Sequence, residues 1–136
     1  MRQILFQGKT VKTGEWIQGC LTYYIDAEFH SFIEDPITME KMEVIPESVG
    51  QYINLNDVFG RRIFEGNVVE SQDYLIKGTY IVRYYDNEFV AVNNDKTAEH
   101  QLVPIRFWSF KIIGHSYDMP IKQILKDNTK SSEEDL

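Results

Sequence analysis

The sequence is poor in cysteine, in basic charge and in long apolar runs. Cys20 is the only cysteine in 136 residues, so no internal disulfide can form, and a thiol-reducing cytoplasm is the natural setting. No stretch approaches the roughly 20 apolar residues that cross a bilayer as a helix. The start, Met1 to Lys9, holds an apolar run of only Ile4, Leu5 and Phe6, too short for the core of a secretory signal. The expectation is a soluble, cytoplasmic protein with no membrane partner. Lys and Arg total 14 against 21 Asp and Glu, a net charge of −7. A surface of that sign repels phosphate backbones and favours basic partners.

Catalytic patterns are missing too. There is no G-x-S-x-G elbow, Walker loop or Rossmann glycine pattern. His30, His100 and His115 lie far apart, and none stands at ligand spacing from a cysteine or another histidine, so no metal is expected. Cys20 sits among apolar neighbours and reads as a buried, inert thiol. His115 and Ser116 are adjacent, so on a regular strand they point to opposite faces and cannot act as a nucleophile–base pair. Asp57 and Glu65 flank turns, where carboxylates cap backbone N–H groups or are solvated. The expectation is a non-enzyme with no cofactor.

What is abundant is β-forming: two Trp, eight Tyr and eight Phe, with many Val and Ile. At this length the chain can bury a core without disulfides or a metal. A first strand is expected from Arg2 to Phe6, closed by Gly8. Trp16 to Ile25 alternates with large apolar groups on both sides, which predicts a strand covered partly on both faces. Gly19 within it marks a bulge, a bend or a close backbone approach. Glu28 to Ile33 pairs back as a hairpin through Asp26-Ala27, and Asp35-Pro36 ends it. Residues 37 to 46 read as a loop or short extended segment. Asp57-Val58-Phe59-Gly60 suits a β-turn. Ile63-Phe64 is a short strand, Glu65-Gly66-Asn67 a turn, and Val68-Val69-Glu70 opens another strand. Thr79 to Tyr85 is a strand with Tyr80, Val82 and Tyr84 on one face. It returns as Glu88 to Val92 through Asp86-Asn87, a two-residue hairpin signal. Gln101 to Ile105 is a further segment, broken by Pro104, and Trp108 to Ile113 is the last long strand. Pro120, Ile121, Ile124 and Leu125 suit a short C-terminal helix. Residues 127–136 read as a loose acidic tail. Short strands spaced by turns point to a small barrel or sandwich.

Three anchors carry a resemblance. The first is Phe6-Gln7-Gly8-Lys9 followed by Thr13-Gly14-Glu15-Trp16-Ile17-Gln18-Gly19. The second runs from Val44 to Val69, with Pro46-Glu47-Ser48-Val49-Gly50-Gln51-Tyr52, Asp57-Val58-Phe59-Gly60 and Ile63-Phe64-Glu65-Gly66-Asn67. The third is Ile112-Ile113-Gly114-His115-Ser116-Tyr117-Asp118-Met119-Pro120. In this order and spacing they resemble the YopX-like proteins, small proteins encoded by bacteriophages and prophages. Gln7, Ser48, Asn67 and His115 depart from the family's usual Arg, Thr, Asp and Asn. The resemblance implies a mainly β fold: a single domain over 1–126, with an N-terminal β arm at 1–46, an SH3-like small barrel at 47–118 and a short helix at 119–126. It implies no biochemical activity.

Function is therefore expected to lie in contacts: a phage or prophage accessory protein acting through protein partners of host or phage origin and through self-association into a homo-oligomer. Trp16, Tyr24 and Tyr52 are candidate anchors, since aromatics dominate interface energetics. The acidic segment from Asp26 to Glu47, with Glu34, Asp35, Glu40 and Glu43, is the candidate surface for a basic partner. The alternative is a small barrel that binds single-stranded nucleic acid by stacking, with Arg61, Arg62, Tyr80, Arg83 and Tyr84 converging on one face. The net charge weighs against it.

Overall fold

The computed structural model describes residues 2–26, 28–93, 101–104 and 109–119, the backbone alone over 101–104. The chain divides into two units, Met1–Asn54 and Leu55–Leu136. Both are antiparallel β structure, as the turn spacing and β-branched content predict. All of the expected helix at 119–126 after Met119, the acidic tail and Trp108 lie outside the described residues.

The first unit contains β1 (Phe6–Lys9), β2 (Trp16–Ile25), β3 (Phe29–Glu34) and β4 (Lys41–Val44), then a 3₁₀ turn at Pro46–Ser48 and the start of β5 (Gly50–Asn56). Its strands lie in the order β4-β3-β2-β1-β5. The hairpin of β2 and β3 is in the expected place, with Cys20 opposite Glu34 and Ile25 opposite Phe29. Gly19 is required by close approach: a β-carbon there would strike the backbone carbonyl oxygen of Glu34.

Strand β1 starts later than the sequence suggests, and Gly8 lies inside it rather than closing it. A β-carbon on Gly8 would sit 3.0 Å from both Ile33 Cδ1 and Val44 Cβ, so the glycine lets those core side chains press onto the strand. The chain before β1 follows β5 instead. Tyr52 N–H donates to the Leu5 carbonyl. The Asn54 side chain accepts from Gln3 N–H at 2.9 Å and donates to its carbonyl at 3.0 Å. Asn54 has φ 63°, which turns its side chain into the partner a ladder would have supplied.

The core of this unit comprises Ile33, Val44, Tyr52 and Ile53 with the buried hydroxyls of Thr10, Ser31 and Ser48. Ser48 Oγ accepts from Lys9 N–H and donates to the Ile45 carbonyl. Thr10 Oγ1 accepts from Glu15 N–H. Buried hydroxyls are tolerated because such bonds repay their desolvation.

The second unit holds β6 (Arg62–Phe64), β7 (Asn67–Ser71), a 3₁₀ turn at Tyr74–Ile76, β8 (Thr79–Tyr85), β9 (Glu88–Asn93), β10 (Gln101–Pro104) and β11 (Phe110–His115). Its sheet runs β10-β9-β8-β7-β11. A meander whose last strand returns beside its first is the strand order of an SH3-like small barrel, although no closed barrel forms among the described residues. The β8–β9 hairpin turns at Asp86 and Asn87, both with positive φ, 50° and 66°, as a two-residue turn of this kind demands. Val68, Val69, Tyr80, Ile81 and Val82 are consecutive or facing, and all are buried. The middle of this sheet is thus covered on both faces. Tyr80 and Phe110 meet edge to face, centroids 5.9 Å apart. In β11 the register shifts between Ile112 and Gly114, so the regular alternation expected there is broken by a bulge.

Candidate protein-contact surface

The β2–β3 hairpin extends past its neighbours. Strand β1 begins at Phe6, opposite Gly19, and β4 ends at Val44, opposite Ser31. Beyond those points β2 and β3 pair only with each other among the described residues. Asp26 closes the tip: its carboxylate accepts from Glu28 N–H at 2.8 Å, and its own N–H donates to the Glu28 carbonyl.

Cross-strand register sorts the side chains of this ribbon. One face carries Leu21, Tyr23 and Ile25 with Phe29, Ser31 and Ile33; the other carries Cys20, Thr22 and Tyr24 with His30, Phe32 and Glu34. At its root the first face is core, since Ile33 is 1% exposed. At its end Tyr23 is 60%, Ile25 74% and Phe29 49% exposed, and the Tyr23 and Phe29 rings lie 5.3 Å apart. Tyr24, 58% exposed, stands 6.3 Å from the His30 ring on the other face. The two-sided cover expected for this strand therefore fails over its second half, because the neighbouring strands stop short. Cys20 is exposed rather than buried, on the same face as the exposed Gln18, Thr22 and Tyr24.

His30 links the ribbon to β4. Its Nδ1 lies 2.8 Å from Glu43 Oε2, and Nε2 lies 3.6 Å from Asp26 Oδ1. The Glu43 hydrogen bond raises the imidazole pKa, helped by the charges of Glu43, Asp26 and Glu28 and opposed by partial burial. Glu43 is thus an internal partner as well as part of the acidic segment. Asp35 is engaged too: its carboxylate accepts from Ile37 N–H at 2.8 Å and Thr38 N–H at 3.2 Å. Glu34 lies opposite Lys41 across β3 and β4, and Glu40 is exposed in the turn before β4.

The remaining candidates are scattered. Trp16 is half-buried at the start of β2, opposite Lys9, and Tyr52 is 7% exposed, a core side chain rather than a surface anchor. Tyr80 is fully buried, whereas Tyr84 on the same face of β8 is 56% exposed. Arg83 points to the other face, is partly buried, and donates to Ser116 Oγ at 3.4 Å; burial lowers its pKa, offset in part by Glu65. Arg62 is exposed on β6. Arg61 forms an ion pair with Asp57 at 2.8 Å and donates to the Ile112 carbonyl. The five residues of the nucleic-acid alternative do not converge.

Asp57 is a structural carboxylate. It accepts from the N–H groups of Phe59, Arg61 and Ile112 and from Arg61 Nε, all at 2.9–3.1 Å. Burial raises its pKa, but those four donors outweigh burial and hold it below the usual carboxylate value. Asn67 likewise serves a turn: its Oδ1 accepts from Phe64 N–H at 2.6 Å. Gly66, φ 96°, packs so closely on His115 that a β-carbon would lie 2.7 Å from Nε2. His115 Nδ1 accepts from Tyr117 N–H at 3.0 Å. Among the described residues no three His, Cys, Asp or Glu cluster as a metal site, and no helix is long and apolar enough to cross a membrane.

The family model described as YopX protein matches residues 8–122. The chain belongs to the YopX family. All three sequence anchors overlap that match, and the two-turn middle anchor now has a physical basis in Asp57, Gly66 and Asn67. No curated protein matches the chain. Sequence reasoning singled out Tyr24 on the ribbon but missed Tyr23, Ile25 and Phe29. Their signal was available: an uncharged run, Cys20 to Ile25, ending in a hairpin tip flanked by Asp26 and Glu28.

Proposed function

We propose that this YopX-family protein is a non-enzymatic accessory protein of a bacteriophage or prophage. It works in the host cytoplasm through protein–protein contacts, self-association among them. The phage setting follows from the resemblance of its anchors to phage-encoded relatives. The contact role rests on one observation: the end of the β2–β3 ribbon exposes Tyr23, Ile25 and Phe29 on one face and Tyr24 on the other, each at least 49%. Clustered aromatic and aliphatic groups of this kind anchor interfaces. Asp26 and Glu28 flank them at the tip and Glu43 reaches His30, while Glu34, Asp35 and Glu40 lie at the other end of the hairpin, by the β3–β4 turn. These acids suit basic groups on a partner.

The test is affinity capture from host cells carrying the phage, with the wild-type chain beside Tyr24→Ser/Ile25→Ser. A protein retained by the wild type and lost from the variant supports the reading. Capture that disappears on nuclease treatment, or salt-dependent binding to single-stranded DNA or RNA, replaces it with the nucleic-acid reading. Neutralising Glu34, Asp35, Glu40 and Glu43 to amides tests the acidic segment separately. Unaltered capture by that variant assigns those charges to solvation and, for Asp35 and Glu43, to their internal bonds.

A further inference from the structure

We infer that the open edge of β2 pairs with the same edge of a second copy, joining two first-unit sheets across a two-fold axis at Tyr23. This rests on the protein-contact reading above and specifies one of its partners. Past Gly19, the β1 side of β2 carries a row of backbone groups that no described residue pairs with. Open edges are normally blunted by charge, proline or a bulge. Here Cys20-Leu21-Thr22-Tyr23-Tyr24-Ile25 has none of these. In a chain of net charge −7, it is a stretch along which two copies can meet without bringing carboxylates together.

Geometry fixes the register. An antiparallel pair about a two-fold axis keeps equivalent faces on one side, so each residue must meet one of the same facing. With Thr22 on the axis, Ile25 would fall opposite Gly19, where Phe6 of β1 already pairs. With Tyr23 on the axis, the pairs are Tyr23–Tyr23, Thr22–Tyr24 and Leu21–Ile25, and Asp26 falls opposite Cys20. This is the longest pairing that clears β1. It lays Ile25 and Phe29 of one copy beside Leu21 and Ile33 of the other, extending the apolar core face of each sheet over side chains now in water. On the opposite face Tyr24 and His30 of one copy adjoin Thr22 and Phe32 of the other. The nearest acids, one Asp26 per copy, end at opposite ends of the seam.

The experiment is sedimentation of the full chain over a range of concentrations, with two variants. The wild type is expected to dimerise. Tyr23→Lys places two ammonium groups on the axis and should shift the protein to monomer, with its circular dichroism unchanged because Tyr23 is exposed. Cys20→Ser/Tyr23→Cys brings two thiols within disulfide reach and should give a covalent dimer on mild oxidation. Cys20→Ser/Ile37→Cys, with its thiol at a position 89% exposed and away from the edge, should not. A monomeric wild type overturns the edge pairing while leaving capture of other proteins to be judged by its own test. A dimer that survives Tyr23→Lys and fails to cross-link through Tyr23→Cys overturns the edge but keeps self-association. Equal cross-linking through Ile37→Cys marks the bond as collisional and also overturns it.

Discussion

The turn at Asp57 and the tip of the β2–β3 ribbon are both short reversals built around an aspartate, yet they differ in what they close. Asp57 accepts from three backbone N–H groups and Arg61, and one of those N–H groups belongs to β11. Asp26 accepts from Glu28 next to it and approaches His30. The first carboxylate ties distant chain together inside a core; the second shapes a projection whose side chains face water. A buried polar group fully satisfied specifies structure, whereas an exposed local one leaves the surrounding apolar groups available for another molecule.

That contrast can be broken at four points. Asp57→Ala strands three N–H donors and unpairs Arg61, so denaturant unfolding should show a loss of about 3–5 kcal/mol. Because the folded pKa of Asp57 lies below its unfolded value, its contribution is present above the unfolded pKa and is lost as pH falls through the folded one. Asp57→Asn should therefore flatten the acid limb of the stability profile. Gly19→Ala forces a methyl against the Glu34 carbonyl; the cost expected from overpacking is about 1–3 kcal/mol, visible as a lower melting temperature.

The ribbon responds to pH in the other direction, and less. The folded pKa of His30 is raised, chiefly by Glu43. Its contribution is full below the unfolded value of about 6.5 and is lost as pH rises through the folded one. A small fall in melting temperature across that window should shrink in Glu43→Gln, which leaves only the charges of Asp26 and Glu28 to favour the imidazolium. Tyr24→Ser should change stability by no more than about 0.5 kcal/mol, read from the same melts, while weakening partner capture. A large destabilisation would show that Tyr24 is packed rather than presented.

Local patterns were the legible part of the fold. Trp16–Ile25 and Thr79–Tyr85 have the bounds that alternation and turn residues indicate, and Asp86-Asn87 and Asp57-Gly60 turn where their side chains allow. Gly50–Asn56 was not recognised as a strand. Its Gly50, Asn54 and Asn56 are poor β formers, and its place is set by distant partners: Phe6 opposite Gln51 and Leu5 bonded to Tyr52. Burial was less legible than strand position. Tyr80 and Tyr84 share a face and a residue type, but the first lies between β7 and β9 in a covered sheet and the second near an open hairpin end. Tyr52 and Tyr24 were equivalent candidates for the same reason. Which tyrosine meets solvent depends on where neighbouring strands stop, and β1 stops at Phe6 because Asn54 and Tyr52 draw the preceding chain toward β5.

The reach of Asp57 also orders events during synthesis. Its bonds to Phe59 and Arg61 can form as soon as that turn leaves the ribosome, but its partner Ile112 is 55 residues further along. Strand β7 waits for β11 too, across 39 residues from Ser71 to Phe110 and 48 from Asn67 to His115. Contacts of such separation close late and slowly. The first unit can thus be complete, ribbon included, while the second is still an open meander, and a nascent chain that meets another on the same messenger would meet it through the first unit.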